Sequence, residues 1–353
     1  MRDARDYTVR PDEPIVSALR RLDETAHKCL FVVDERGRLM GSLTDGDIRR
    51  HILRAGTIDG TVSSAMFATP ATLGVDERLR AARVIAERHV PALPLLDGDG
   101  KIVDIVFDDG ASTRRAQLRE PVPVVMMAGG VGSRLLPLTA VIPKPLIPIE
   151  GTTIAERIIN RFRESGCNDF YLILNYKKKM IEAYFDDLDR DYDVTYLEEE
   201  KFLGTGGGLK LAEPYLKSTF ILTNCDILVD ASATKLYEAH KESGNAVTMV
   251  CSLKSFTIPY GAVDISGGGQ LVGMREKPTM SVLVNTGCYM VEPEVLQLIG
   301  VGENIGFPDV MARCQENGLK VGIYPISEGS WLDMGQFDEM ERMNAALSGK
   351  AKQ

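Results

Sequence analysis

No Cys-x-x-Cys pair occurs in the 353 residues. The six cysteines (Cys29, Cys167, Cys225, Cys251, Cys288, Cys314) and the four histidines (His27, His51, His89, His240) stand singly and apart. This argues against a zinc site or a disulfide scaffold and for reduced, mostly buried thiols. No apolar run approaches the roughly 18 residues of a membrane span. The opening Met1 to Asp6 is charged and has no apolar signal region, so a cytoplasmic protein with no membrane partner is expected. A surplus of positive charge is missing too. The formal net charge of −9 provides no basic field for nucleic acid or an anionic membrane. An anionic ligand has to be met by local groups.

Residues 128–145, "AGGVGSRLLPLTAVIPKP", hold such groups. Two familiar phosphate cradles do not fit: no Gly-Lys-[Ser/Thr] closes a P-loop, and the third glycine of a dinucleotide fingerprint is lacking. The stretch follows the apolar run Val122, Val124, Val125, Met126, Met127. A glycine turn after a strand lets backbone N–H groups approach an oxyanion closely. Arg134 adds a planar fork for two phosphate oxygens. Lys144 lies between Pro143 and Pro145, which deny this segment helix structure and hold it extended, aiming the lysine at a partner.

Ahead of this stretch the chain repeats itself. Residues 9–41 recur loosely as 73–104: Asp12 and Glu13 answer Asp76 and Glu77, Ala18 answers Ala82, and Asp34 with Gly37 answers Asp97 with Gly100. Each copy reads as an acidic helix start, an amphipathic helix, a buried strand, an Asp/Gly turn and a second strand. Two such units, unable to bury their faces singly, are expected to pack together.

The pattern resembles a tandem CBS-domain pair over residues 7 to about 110, most specifically in "GSLTDGDIRR" (41–50). The resemblance implies that Thr44 and Asp47 contact the phosphate and ribose of an adenine nucleotide such as AMP or ATP. A helix cap made by the same two residues is the alternative. The second copy has Phe107 and Gly110 where Thr and Asp would fall, so at most one conventional site is expected. CBS pairs often associate, which implies a homo-oligomer.

The expected organisation is a CBS pair over 1–112 (copies at about 7–55 and 70–110), a polar linker over 113–121, and a second domain over 122–353. In that domain near-continuous apolar runs at 122–127, 170–175, 218–224 and 246–253 alternate with helical patterns at 153–165, 178–188, 207–216 and 231–243. Such alternation predicts an α/β fold with a mostly parallel, Rossmann-like sheet covered on both faces, preceded by the smaller α/β pair. Ligands of these sheets sit beyond the carboxyl ends of the strands. That rule selects the opening loop, "LGTGGG" (203–208), "NCDI" (224–227) and the stretch from "REKP" (275–278) to "WLDMG" (331–335). Asp226, at a strand end, and Asp333, in an apolar setting, could together hold one Mg²⁺ that takes its remaining ligands from water and phosphates. With Lys277, also beside a proline, the set describes a site for moving a phosphoryl-type group.

"MAGGVGSRLLPLT…PKPLIPI", "LGTGGGL", "TNCDIL", "YGAV", "REKP", "VNTGCYMV" and "WLDMGQ" stand in the order found in sugar-1-phosphate nucleotidylyltransferases, which make NDP-sugars. The resemblance spans about 122–345. It implies that Gly129, Gly130, Gly132, Ser133 and Arg134 hold an NTP, with Arg134 on the departing pyrophosphate and Lys144 at the reacting centre. Gly204, Thr205 and Gly206 to Gly208 approach base and sugar. Gly261, Glu276, Lys277 and Asn285 meet the sugar phosphate, and Asp226 and Asp333 hold Mg²⁺. Ser133 replaces a frequent Thr and Cys225 a frequent Gly. The implied reaction is in-line attack of a sugar 1-phosphate oxygen on the α-phosphorus of the NTP. The nucleophile is already anionic, so no general base is required. A CBS pair fused ahead of such a transferase resembles bacterial glucosamine- or mannose-1-phosphate guanylyltransferases, some serving nonulosonic acids and cell-surface polysaccharide. That implies GTP and a hexose or aminohexose 1-phosphate. Uridylyl or cytidylyl transfer, an inactive nucleotide-sensing regulator and a nicotinamide dehydrogenase are the alternatives.

Overall fold

Each repeat of the sequence folds into the same three-stranded sheet. A computed structural model describes residues 4–25, 27–108 and 117–348. In the first copy Thr8–Val9 pairs parallel with Cys29–Val33, which pairs antiparallel with Leu39–Thr44. In the second, Leu73–Gly74, Ala92–Leu96 and Ile102–Phe107 repeat that order and those directions. Both hairpins turn the same way. The Asp34 carboxylate accepts from the N–H groups of Arg36 and Arg38, each at 2.9 Å, and that of Asp97 from Asp99 and Lys101 at 2.9 and 2.8 Å. Gly37 and Gly100 supply the left-handed residue, at φ 79° and 78°. The two copies share a core of Tyr7, Cys29, Phe31, Ala92 and Ile105, so neither buries its face alone.

Compactness divides the chain into two units. One comprises Met1–Thr113 with Ser252–Val284 and Pro325–Gly329; the other comprises Arg114–Cys251, Asn285–Tyr324 and Ser330–Gln353. The first unit therefore takes in a strand pair from far along the chain. Leu253, 3% exposed, is buried among Ile15, Leu19, Leu22, Leu43 and Ile48, with Leu283 packed against them. Arg49 Nε donates to the Pro325 carbonyl at 2.8 Å, and the Gly329 N–H to Asp23 at 3.1 Å. The same unit carries the two-stranded ribbon Ala262–Ile265/Leu271–Arg275.

The second unit holds the body of a seven-stranded sheet, ordered Asp193–Glu198, Asp169–Leu174, Val124–Met127, Phe220–Asn224, Thr279–Val291, Val247–Thr257, Val321–Ile326, the last three of which run on into residues of the first unit. The first four pair parallel, and Thr279–Val291 runs antiparallel to Phe220–Asn224. Val124, Val125 and Met126 are wholly buried, which is why the run shows no polar alternation. Helix Ile154–Arg163 starts where the Thr153 hydroxyl accepts from the Glu156 N–H at 3.3 Å, and it buries Ile154, Ala155, Ile158 and Ile159. Helix Ala233–Ser243 ends on Gly244 at φ 61°.

One helix expected from the pattern is much reduced. Residues 207–216 hold only the end of a single turn, Gly204–Gly207, and a 3₁₀ turn, Gly208–Ala212. The N–H groups of Gly206 and Gly207 go to the Ile305 carbonyl, at 2.9 and 3.1 Å. Pro214 stops propagation two residues beyond Ala212. In the expected linker, residues 113–116 lie outside the described residues. The Leu118 N–H donates to Ser165 O at 2.9 Å, and Glu120 accepts from Tyr237 at 2.9 Å. All six cysteines are free and buried. Burial pushes the thiols of Cys29, Cys167, Cys225 and Cys288 up to about 12, which leaves them inert. Among the described residues no helix is long and apolar enough to cross a membrane.

Candidate active site

Three parallel strands deliver their carboxyl ends to one cleft of about 220 Å³, open to solvent. Val124–Met127 leads into Gly129, Gly130 and Gly132; Phe220–Asn224 leads into Cys225 and Asp226; Asp193–Glu198 leads into Glu199. Ser133, Arg134, Lys144, Gly204 and Thr205 also line the cleft, so the structure brings together most of the residues singled out in the sequence.

At Gly129, Gly132 and Gly204 something else occupies the side-chain space, whereas a Cβ on Gly130 would meet nothing within 4 Å. A Cβ on Gly129 would come within 2.7 Å of Glu199 Oε2. One on Gly204, at φ 78°, would come within 2.5 Å of the Ile305 carbonyl oxygen. Gly132, at φ 70°, opens the short turn Ser133–Leu135 and is anchored by the Thr139 hydroxyl, which donates to its carbonyl at 2.9 Å. Thr205 lines the cleft, yet its Oγ1 accepts from the Phe307 N–H at 3.0 Å and secures the start of helix Phe307–Glu316.

Lys144 is 9% exposed and forms an ion pair with Asp226. It opens a short 3₁₀ turn, Lys144–Leu146, rather than continuing extended. Proline is tolerated in a first turn, where its missing N–H has no partner to lose. Asp226 lies in the turn just before the short strand Ile227–Val229, and Asp333 ends that strand's antiparallel partner, Trp331–Asp333. Ile227 is in register with Asp333, and the Met334 N–H donates to the Asp226 carbonyl at 2.8 Å. Burial, then the Asp226 charge, pushes the Asp333 carboxyl up; the Gly335 N–H at 2.7 Å, Lys144 and Arg134 pull it back. A Cβ on Gly335 would stand 3.0 Å from Asp333 Oδ1 and 3.5 Å from Arg134 Nη1, so the guanidinium lies by Asp333.

Among the described residues no group of three His, Cys, Asp or Glu could hold a metal ion. Two carboxylates are what the protein supplies. This fits Mg²⁺, which keeps several waters and uses substrate phosphates as ligands, and does not fit a four-ligand zinc site.

Several other sequence-selected residues are not among those lining this cleft. Gly261, Glu276 and Lys277 belong to the first unit and are not among the cleft residues. A Cβ on Gly261 would meet Glu276 Oε2 at 3.2 Å, and Lys277 has φ 44°. Asn285 belongs to the second unit, but its amide is committed within its own strand: Nδ2 donates to the Tyr289 hydroxyl at 2.7 Å, and Oδ1 accepts from the Gly287 N–H at 2.9 Å. Thr44 and Asp47 form a reciprocal cap on helix Asp45–Ala55. The Thr44 N–H donates to Asp47 Oδ2 at 2.9 Å, and Arg50 pairs with the same carboxylate. Where the second copy would hold its site, Phe107 stacks on His27 with centroids 4.2 Å apart; Gly110 lies outside the described residues.

Asn224, in the selected segment 224–227, lines the cleft, as do Glu199 and Phe202, which do not stand out in the sequence. Glu199 is 3% exposed. Its Oε1 accepts from the Leu203 N–H at 3.2 Å, and a Cβ on Gly208 would stand 2.5 Å from it. Burial pushes its carboxyl above the ordinary range, against the pull of that N–H. Glycines on both sides, Gly129 and Gly208, leave room for this carboxylate.

The sequence model for nucleotidyl transferases matches residues 123–349. The chain belongs to the nucleotidyl transferase family. A CBS domain matches residues 3–54. Within the family, the chain is 28% identical over 250 residues to UTP–glucose-1-phosphate uridylyltransferase of Synechocystis sp., covering 65% of this chain and 64% of that one. It is 30% identical over 225 residues to mannose-1-phosphate guanyltransferase of Saccharomyces cerevisiae, covering 60% and 61%. The match thus spans less than two thirds of the length of these curated relatives. Among solved structures, HddC from Yersinia pseudotuberculosis superposes with a TM-score of 0.51 at 22% identity, over 64% of this chain and 99% of that one. UDP-glucose pyrophosphorylase from Acinetobacter baumanii gives 0.52 at 18%, over 66% and 98%. Both share the fold.

Proposed function

We propose that this chain transfers a guanylyl group from GTP to a hexose or aminohexose 1-phosphate, giving a GDP-sugar and pyrophosphate. The observation that carries the choice of base is Glu199, a buried carboxylate in the cleft with glycine on either side. The Watson–Crick edge of guanine offers two adjacent donors, N1–H and N2–H₂, which a carboxylate accepts as a pair. Uracil offers a single N–H between two carbonyl oxygens, and those oxygens are repelled by a carboxylate. Cytosine and adenine each set one amino donor beside a ring acceptor. Glu199 therefore supports guanine over the other three.

The phosphates would lie along the backbone of Gly129, Gly130 and Gly132 with Ser133, and Arg134 would take the pyrophosphate as it departs. Lys144, freed from Asp226, would sit on the phosphates at the reacting centre. Gly204, Thr205 and Gly206 would border base and ribose, and Asn285, released from Tyr289 and Gly287, would meet the sugar phosphate. Asp226 and Asp333 would hold Mg²⁺, which supplies positive charge against the phosphate oxygens. The sugar phosphate oxygen is anionic at neutral pH, so the chain's residues align and neutralise rather than abstract a proton. The CBS pair would take AMP or ATP through Thr44 and Asp47, at the expense of their mutual cap.

The test is Glu199→Gln. Replacing a paired acceptor with one acceptor and one donor should reduce kcat/KM for GTP by about 10- to 150-fold, the range for a bidentate base contact, while turnover of UTP rises. An unchanged GTP-to-UTP ratio would remove Glu199 from base selection.

A further inference from the structure

We infer that Phe202 is a base-stacking residue, the aromatic face against which the purine lies while Glu199 reads its edge. The inference rests on the proposed nucleotide site and extends it to a residue whose type no glycine or acid motif requires. Phe202 is 54% exposed and lines the cleft together with Glu199 and Gly204. It is the one aromatic side chain among the described residues of that lining. Its backbone is held on several sides. The Phe202 carbonyl accepts from Asn304 Nδ2 at 3.4 Å, and the next residue donates its N–H to Glu199 at 3.2 Å and accepts from the Ile305 N–H at 2.9 Å. Leu203 itself is 6% exposed. The loop thus buries its leucine and leaves its phenyl exposed in the cleft, one residue before the N–H that bonds the carboxylate that would hold the base.

A phenyl left in water gives up the stabilisation its burial would bring, and an apolar ring is a poor neighbour for phosphates. A nucleobase suits it: every base has a π-face, so stacking adds affinity without choosing among bases. Selection by the edge and adhesion by the face would then reside on residues 199 and 202 of a single loop. The division of labour is testable because the two effects separate.

The experiment compares the full-length wild type with Phe202→Ala and Phe202→Tyr. Equilibrium dialysis measures GTP and UTP binding, and steady-state kinetics are run at saturating sugar 1-phosphate. Phe202→Ala should weaken binding of both nucleotides by the same factor, about 5- to 150-fold, the range of a base–aromatic stack. KM for the nucleotide should rise in step, with kcat, KM for the sugar phosphate and Tm little changed. Phe202→Tyr should restore binding to within about threefold of wild type, since it keeps the ring. Binding by Phe202→Ala within twofold of wild type, or a tyrosine variant as weak as alanine, overturns the stacking role while leaving nucleotidyl transfer standing. A wild type that binds neither nucleotide overturns both.

Discussion

Replacing Asp226 with Asn tests two claims at once, because the carboxylate belongs to a buried ion pair and to the expected Mg²⁺ site. The Lys144 and Asp226 side chains are 11% and 13% exposed. Removing one partner of a buried pair costs about 3–5 kcal/mol, since the other charge remains uncompensated. The slight solvent access here points to the lower end. At roughly 2–4 °C per kcal/mol for a unit of this size, Tm should fall by about 6–12 °C. Pyrophosphate release should fall by about 100- to 1,000-fold, as when one preorganised charge-stabilising group is removed. The double variant Lys144→Met/Asp226→Asn separates the two. With neither charge left, most of the lost Tm should return, because an apolar replacement of a buried pair is often neutral. Activity should not return. The measurements are differential scanning fluorimetry and a coupled pyrophosphate assay on the same preparations. A single variant releasing pyrophosphate within tenfold of wild type, or a double variant that recovers activity, would refute the reasoning.

Three further outcomes follow from the structure. His240 is wholly buried, bonded to Thr248 at 2.8 Å and Glu292 at 3.1 Å. Burial lowers its pKa below 6.5, against the opposing pull of Glu292. Below about pH 6.5 the unfolded chain therefore binds a proton that the folded chain refuses, so this contribution to stability is present above that pH and lost below it. Tm measured from pH 7.5 to 5.5 should fall less steeply in His240→Gln than in wild type. In Gly207→Ala the new Cβ would stand 1.9 Å from the Glu303 carbonyl oxygen. Since that atom is backbone, chemical denaturation should show a loss of about 1–3 kcal/mol or more. Leu253→Ala should cost about 2–5 kcal/mol in the first unit, because Leu253 is buried in the core formed with Ile15, Leu19 and Leu22; urea unfolding would check it.

Much of this fold is legible in the sequence because its strands are buried on both faces. Val124 to Met127 and Phe220 to Asn224 read as apolar runs, and the rule that ligands gather at the carboxyl ends of parallel strands leads straight to Gly129, Asp226 and their neighbours. The repeat is legible for a related reason: Asp34 and Asp97 cap identical turns. Glu199 is harder to see. It is the middle of three successive glutamates, and its burial is decided by Gly129 and Gly208, remote in sequence on either side. The shortened helix after Gly206 was obscured because an amphipathic pattern says nothing of the Ile305 carbonyl that claims two of its N–H groups. The grouping of residues 252–284 with the first unit rests on Leu253 and Leu283, strand leucines that carry no local mark of their destination. Asn285 lies in a legible motif, but its amide partners, Tyr289 and Gly287, are set by the extended strand that carries all three.

The most direct test of the account is a panel of the four NTPs against hexose and aminohexose 1-phosphates with Mg²⁺, scored by pyrophosphate and by the nucleotide sugar formed. The account predicts release with GTP at least tenfold above every other NTP for some sugar 1-phosphate in the set, and loss of release when EDTA removes the ion. Equal or better turnover with UTP, CTP or ATP would contradict the role given to Glu199, and pyrophosphate release undiminished in EDTA would contradict the role given to Asp226 and Asp333.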